Sequence, residues 1–581
     1  MAALPIGGRR QGWYAATVLI RHARHARHAG HDGPCPISTG GTGRHGTIPL
    51  SRHFDTPEAR MTSLMEYRIE RDSLGERKVP AHAYYGVQTL RALENFDVTG
   101  LTIGRHPRFV QALASVKKAA ALANMELGLL DGDVGQAIVQ ACREVREGRF
   151  DEQFVVDIIQ GGAGTSVNMN ANEVIANRAL ELMGRTRGEY GVVSPLNHVN
   201  LSQSTNDVYP TAFRIALVWY ARDLGVSLRE LRDAFHAKGE AFADVIKMAR
   251  TQLQDAVPIT LGAEFAAYGV TVGEDIDRLA EVARLLCEVN IGATAVGTGI
   301  NTVPGYAPLV CDRLADITGL PLSLSPNLVE ATSDAGAYVT LSGLLKRVAV
   351  KLSKICNDLR LLSSGPFTGL GEISLPAVQP GSSIMPGKVN PVIPELVNQV
   401  CQQVIGNDLT VTLAAEAGQL ELNVFGPIMA CNLFQSLEIL TRAARILRVR
   451  CVEGITANRE RCLELLHGSL GMVTALAPVI GYEAAATVVK DARATGRTPR
   501  DLLVERGLMR SEDYDDLMDP AKMLGPRDVR GHRNGALRQD AAGREAVGKG
   551  TAEQGAGQDG AYGPAGRDGP DGPGEPGEED A

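Results

Sequence analysis

Through the middle of the chain, apolar residues recur at alternating steps of three and four. Leu341, Leu345, Val348, Leu352, Ile355, Leu359 and Leu362 trace one such stripe, the spacing that sets side chains along one face of an α-helix. Gly365-Pro366 follows and predicts its stop. A second stripe after Pro210, through Phe213, Leu217, Leu224, Leu228, Leu231, Phe235, Phe242 and Val245, predicts a helix of more than about thirty residues. A third is predicted to begin near Pro394, a residue suited to a first helical turn, and to run through Val397, Val400 and Val404. The longest of these is roughly three times the mean helix length. The predicted fold class is mainly α, built on a central long-helix bundle whose core is of the kind often completed by other subunits.

Three polar loops punctuate these helices. The first, Gly161 to Asn170, precedes a helical pattern predicted from Ala171. It has the look of a phosphate cradle, yet it lacks the Gly-Lys-Ser/Thr ending of a P-loop and the spacing of a dinucleotide fingerprint. The second runs from Asn197 to Asp207, and on local grounds Ser204-Thr205-Asn206 reads either as a helix cap before Pro210 or as a functional segment. The third is Gly381-Ser382-Ser383-Ile384-Met385-Pro386-Gly387-Lys388-Val389-Asn390-Pro391. Its glycines can take positive φ and its prolines fix φ, which predicts a shaped loop. Ser382, Ser383, Lys388 and Asn390 are side chains that grip a carboxylate, Lys388 by charge and Asn390 by geometry. A small dicarboxylic acid is the substrate class this chemistry suggests.

Composition narrows the picture. A formal net charge of −8, with 44% hydrophobic and 22% charged residues, is that of a soluble globular protein and argues against a nucleic-acid surface. No apolar run approaches the ~20 residues of a membrane span, so no membrane partner is expected. The nine cysteines show no Cys-x-x-Cys or Cys/His ligand spacing, so neither a metal site nor a disulfide framework is expected, and a reducing, cytoplasmic setting suits them. Residues 1–64, with Arg21-His22-Ala23-Arg24-His25 and a single acid, Asp32, before Asp55, are expected to be a disordered extension, with Met61 or Met65 as the true start. Residues 526–581 are expected to be a disordered tail rich in Gly, Pro and acids.

With the three loops in this order, Gly381, Ser382, Met385, Lys388 and Asn390 match the pattern Gly-Ser-x-x-Met-x-x-Lys-x-Asn. The chain thereby resembles the fumarase/aspartase superfamily over about residues 66–525. Gly-Ala-Gly-Thr-Ser at 162–166, Gln-Ser-Thr-Asn-Asp at 203–207 and Thr251-Gln252 resemble the branch that removes ammonia from L-aspartate. Class II fumarases usually carry Thr-Gln, Ser-Ser-Asn and Thr-His at these three places. The resemblance implies a three-domain fold: 65–203, a central bundle at 204–458 with the signature loop, and a small helical domain at 459–525. It also implies a homotetramer in which three subunits each lend one loop to a site. No cofactor is required, although Mg²⁺ activates some relatives. Fumarate hydratase and a non-catalytic oligomer are the alternatives.

By motif match, the resemblance implies Ser382 as general base, with Lys388 lowering the cost of its alkoxide. Thr165, Ser204, Thr205 and Ser383 would hold the β-carboxylate. Thr251, Lys388 and Asn390 would hold the α-carboxylate, and Asn206, with Thr165 or Gln252, would face the amino group. His198 lies in a segment that fumarases use near a secondary dicarboxylate site. Many relatives have a histidine at the place of Gln252, paired with a glutamate at the place of Glu395. Gln252 is no proton relay, so ammonia is expected to obtain its proton in another way, such as from solvent.

Overall fold

The computed structural model describes residues 66–532. The expectations for residues 1–64, and for the tail beyond 532, lie outside the described residues.

An antiparallel hairpin, β1 (Tyr67–Asp72) and β2 (Gly75–Pro80), opens the described chain. It leads into α1 (Val87–Asn95), α2 (Pro107–Glu126), α3 (Gly132–Arg146) and α4 (Thr165–Leu182). Next comes α5 (Thr205–Ala241), 37 residues long, then the hairpin of β3 (Ile246–Thr251) and β4 (Gln254–Thr260). The chain continues through α6 (Leu261–Leu285), β5 (Glu288–Val289), α7 (Tyr306–Thr318), β6 (Ser323–Leu324), α8 (Leu328–Ser333) and α9 (Gly336–Leu362). After β7 (Ile373–Ser374) come α10 (Val392–Glu416), α11 (Gly426–Arg450), β8 (Thr456–Ala457) and α12 (Arg459–His467).

Five long helices close a ring. Helix α5 packs on α6, α6 on α9, α9 on α10, α10 on α11, and α11 returns to α5. Every residue of the stripe from Leu341 to Leu362 is buried, as an inward-facing helical seam requires. An aromatic cluster knits α2, α5, α9 and α11 together: Phe213 stacks on Tyr338 at 4.5 Å and meets Phe434 edge-on at 5.4 Å. Phe109 touches both Tyr209 and Phe434. Such pairs add to the burial of apolar area itself. A separate apolar core, including Val473, Leu476, Val488, Leu503 and Leu517, lies within 459–525. Among the described residues, no single helix is long and apolar enough to cross a membrane.

The helix starts differ from the sequence reading in instructive ways. Helix α5 begins at Thr205 and carries Pro210 inside it, although a proline removes the donor that residue i−4 would accept from. The carbonyl left over is that of Asn206, and Asn290 Nδ2 donates to it at 3.0 Å. Phe242 is the cap and Val245 lies beyond it, both still buried. Helix α10 starts at Val392, just ahead of Pro394. Helix α4 starts at Thr165 rather than Ala171. Its asparagines looked like loop residues, but tertiary partners satisfy them: Asn170 Nδ2 donates to Gln153 O, and its Oδ1 accepts from Val155 N.

Replacing Asn290 by Ala leaves the Asn206 carbonyl without that donor. An unsatisfied acceptor away from water costs about 1–3 kcal/mol, so Asn290→Ala should lower the thermal unfolding temperature by about 1–3 °C for a chain of this size, read by circular dichroism.

Candidate active site

The first two loops are joined by one buried cation. Lys117, on α2, is fully buried. Its Nζ donates to Asn168 Oδ1 (2.6 Å), Asn200 Oδ1 (3.0 Å) and Gln203 Oε1 (2.9 Å), one acceptor for each N–H. Asn200 Oδ1 also accepts from Asn168 Nδ2 and Asn172 Nδ2, both at 3.1 Å. Asn168 Nδ2 reaches Thr205 Oγ1 at 3.2 Å, which brings the first turns of α4 and α5 together. Burial pulls the Lys117 ammonium down to about 7. Burial likewise pushes Asp207 up to about 6, against the N–H groups of Thr294 (3.0 Å) and Ser204 (3.1 Å) that its carboxylate accepts.

Ser204 is both cap and candidate ligand. Its Oγ accepts from Asn206 N while Asp207 closes a capping box on the Ser204 N–H, which leaves the hydroxyl proton free to donate. Thr165 is the exposed first residue of α4, and its Oγ1 bonds Gly162 O at 2.8 Å. Gly164 before it holds φ +93°, where a Cβ would sit 2.1 Å from the Tyr209 ring. Two helix N-termini, one beginning at Thr165 and one at Thr205, thus offer hydroxyls and partial positive charge to an anion. Asn206 Nδ2 donates to Ala295 O at 2.7 Å, so its Oδ1 remains as an acceptor. The loop that supplies Ala295 holds both Thr294 (φ 42°) and Ala295 (φ 31°) at positive φ, a strain that surrounding contacts must sustain.

In the signature loop, Gly381 N donates to Lys388 O and Asn390 Nδ2 donates to Gly381 O, each at 2.7 Å. Only Gly387 of its two glycines takes positive φ (78°). Gly381 is needed for a different reason: a Cβ there would lie 2.4 Å from Lys388 O. Ser382 Oγ accepts from Ile384 N (3.2 Å) and Met385 N (3.0 Å), the backbone donors that an alkoxide at this position needs. Ser383 and Lys388 are exposed, and Ile384 beside them is 84% exposed.

Thr251 and Gln252 form the exposed tip of the β3–β4 hairpin, where Gln252 and Leu253 hold φ of 55° and 61°, the backbone of a tight two-residue turn. The structure therefore brings the first turns of α4 and α5 together, and with them Thr165, Ser204, Thr205 and Asn206. Among the described residues, no hydrogen bond or ion pair joins Ser382, Ser383, Lys388 or Asn390 to the first group, and none joins Thr251 or Gln252 to it. Nor does one link Gln252 to Glu395. The cavity lined by Ala163, Asn206 and Tyr209 holds about 40 Å³, room for a few waters rather than a dicarboxylic acid. His198 Nδ1 accepts from Ser194 N at 3.1 Å, which leaves Nε2 as the protonated nitrogen.

Sequence reasoning missed Lys117, Asn168 and Asn200. Its available signal was a lysine set on the apolar stripe of α2, level with Val110, Leu113 and Ala120. Among the described residues, no group of three or more His, Cys, Asp or Glu side chains is arranged to hold a metal ion. Those residues thus offer Mg²⁺ no ready protein cage.

A family described as "Lyase" matches residues 75–406, more than half of the chain, and one described as "Fumarase C C-terminus" matches residues 472–525. The chain is 58% identical over 468 residues to an aspartate ammonia-lyase of Pseudomonas aeruginosa, covering 80% of this chain and 99% of that one. A solved fumarate lyase:delta crystallin from Brucella melitensis, bound to cobalt, is 57% identical with a TM-score of 0.77, covering 79% of this chain and all of that one. A class II fumarase from Schistosoma mansoni has the same TM-score at 38% identity, over 80% of this chain and 100% of its own. The chain belongs to the lyase family of the fumarase/aspartase superfamily. It is an enzyme, and within that family it groups with the aspartate ammonia-lyases.

Lys117→Met should scatter the three carboxamides and cut turnover by about 10²-fold, a loss typical of displaced catalytic geometry. The pH dependence has a definite sign. Folding lowers the Lys117 value from 10.5 to about 7, so between these the unfolded chain binds the extra proton, and the contribution of Lys117 to stability rises with pH. Unfolding midpoints measured from pH 7 to 10 should show the wild type gaining on the variant.

Proposed function

We propose that the enzyme catalyses the reversible anti-elimination of ammonia from L-aspartate to give fumarate. The observation that carries this reading is the orientation of Asn206: with its N–H committed to Ala295 O, its Oδ1 suits a substrate ammonium. The higher identity to an aspartate ammonia-lyase (58%) than to a class II fumarase (38%) supports it independently.

In this reading Ser382 Oγ takes the proton from C3. A free serine is far too weak an acid to be ionised at neutral pH, so its alkoxide relies on the Ile384 and Met385 N–H groups and on the charge of Lys388. Proton loss turns the β-carboxylate into a doubly charged aci-carboxylate. Thr165, Ser204, Thr205 and Ser383, with two helix N-termini behind them, meet that charge as it develops. Thr251, Lys388 and Asn390 hold the α-carboxylate. The amino group enters as ammonium and leaves C2 as ammonia, with its bonding pair and the protons it already carries. No relay residue is then needed, which accords with Gln252 standing where relatives use histidine.

A homotetramer is part of the proposal, with one loop lent by each of three subunits to every site. Two features support it. Among the described residues no hydrogen bond or ion pair joins the three groups of site residues within one chain, and α10 exposes Leu409 (61%) and Leu413 (59%) one turn apart, apolar surface that association would cover. The cytoplasm is the proposed location, supported by the free thiols at Cys142, Cys356, Cys401 and Cys462, all buried. The family resemblance also supports activation by Mg²⁺.

Purified enzyme should release fumarate, read by its ultraviolet absorbance, from L-aspartate without consuming L-malate. Turnover of malate instead would establish the hydratase, and no turnover of either would establish the non-catalytic oligomer. Ser382→Ala should lower kcat by about 10²–10⁴-fold while light scattering still reports a tetramer.

A further inference from the structure

Glu372 lies where several segments of the chain meet, and it is 0% exposed. Its Oε1 accepts from Arg250 Nη1 at 2.8 Å and its Oε2 lies 2.8 Å from Lys247 Nζ, both on β3. Lys247 also reaches Glu264 Oε2 on α6 at 2.8 Å. The Glu372 backbone is committed as well: its N–H donates to Leu362 O at the end of α9, and its carbonyl accepts from Asn458 N, both at 2.9 Å. The two carboxylates thus balance the two cations, with Glu372 and Lys247 buried and Arg250 and Glu264 at the edge of the cluster.

The position of this cluster along the chain gives it significance. Arg250 directly precedes Thr251, and Glu372 directly precedes β7, which pairs with β8 and leads into the segment carrying Ser382. The β3–β4 pairing shifts register between Met248 and Arg250, so strand pairing alone does not fix the hairpin tip rigidly. The Glu372 carboxylate grips the strand on the tip side of that irregularity, through Arg250, and on its other side, through Lys247.

We propose that Glu372 is a positioning residue, holding the Thr251-Gln252 tip in fixed register with the framework from which the signature loop departs. The inference rests on the function proposed above, since that reading makes Thr251 a ligand of the α-carboxylate. Removing one partner of a buried ion pair leaves the other charge uncompensated. In Glu372→Gln the freed Arg250 therefore draws the tip toward water. The α-carboxylate contact is made in the ground state and the transition state alike, so its loss appears in KM rather than kcat.

Steady-state kinetics of the full-length enzyme test this directly. Glu372→Gln should raise KM for L-aspartate by about 10-fold while kcat changes less than about 3-fold, the pattern of lost uniform binding. Arg250→Gln should do the same, and the double variant should be no worse than either single one. A merely structural role would shrink the folded fraction and lower kcat at constant KM, and that result overturns the proposal. If Glu372→Gln does not fold, Arg250→Gln decides alone: an unchanged KM overturns it. Should the wild type consume malate and not aspartate, the proposed function falls, and the same KM criterion is applied with malate.

Discussion

The Lys117 ammonium, buried inside the protein, is the constraint around which the candidate site is organised. Taking Lys117 out of water is costly unless every N–H finds an oxygen, and Asn168, Asn200 and Gln203 supply one each. Those three residues come from helix α4 and from the turn before helix α5. Satisfying the cation therefore fixes where the two helices begin, and with them Thr165, Ser204 and Thr205. Asp207 closes the same arrangement from the other side by capping Ser204 and accepting from Thr294. That second contact carries the strained loop at Ala295 toward Asn206. The geometry offered to a substrate thus follows from the need to solvate one buried charge.

The long-helix ring serves this arrangement by being rigid. Phe213, Tyr338, Phe434 and Phe109 interlock beneath the first turn of α5, so the N-termini above them have little freedom. The other two groups are built differently. The signature loop is closed at its base by Gly381, Lys388 and Asn390 but exposes the side chains of Ser383 and Lys388, and the β3–β4 hairpin ends in open solvent. One rigid part and two projecting parts suit the proposed assembly, in which each subunit contributes what the others lack.

Much of this was legible along the chain. The apolar stripe from Leu341 to Leu362 identified a buried helix because packing against neighbours repeats every three to four residues. The pattern from Gly381 to Asn390 carried the resemblance to the superfamily because it matches that family's signature, whereas its chemistry alone pointed only to a grip on a carboxylate. Helix starts were less legible. Pro210 and the asparagines between Asn168 and Asn172 look locally like breaks in structure, and they are tolerated only because Asn290, Gln153 and Lys117, distant in sequence, satisfy the backbone and side-chain groups concerned.

By itself the sequence determined the helical class, the long bundle and the identities of the polar residues, since periodicity and residue chemistry are local properties. Only the tertiary structure decided which way Asn206 points, why Gly381 must lack a side chain, and that Lys117 and Glu372 are buried charges. Each depends on an atom contributed from elsewhere in the chain: Ala295 O, Lys388 O, Asn168 Oδ1 and Arg250 Nη1. Hydrogen bonds and steric contacts act over a few ångströms in space, and folding alone brings those atoms that close.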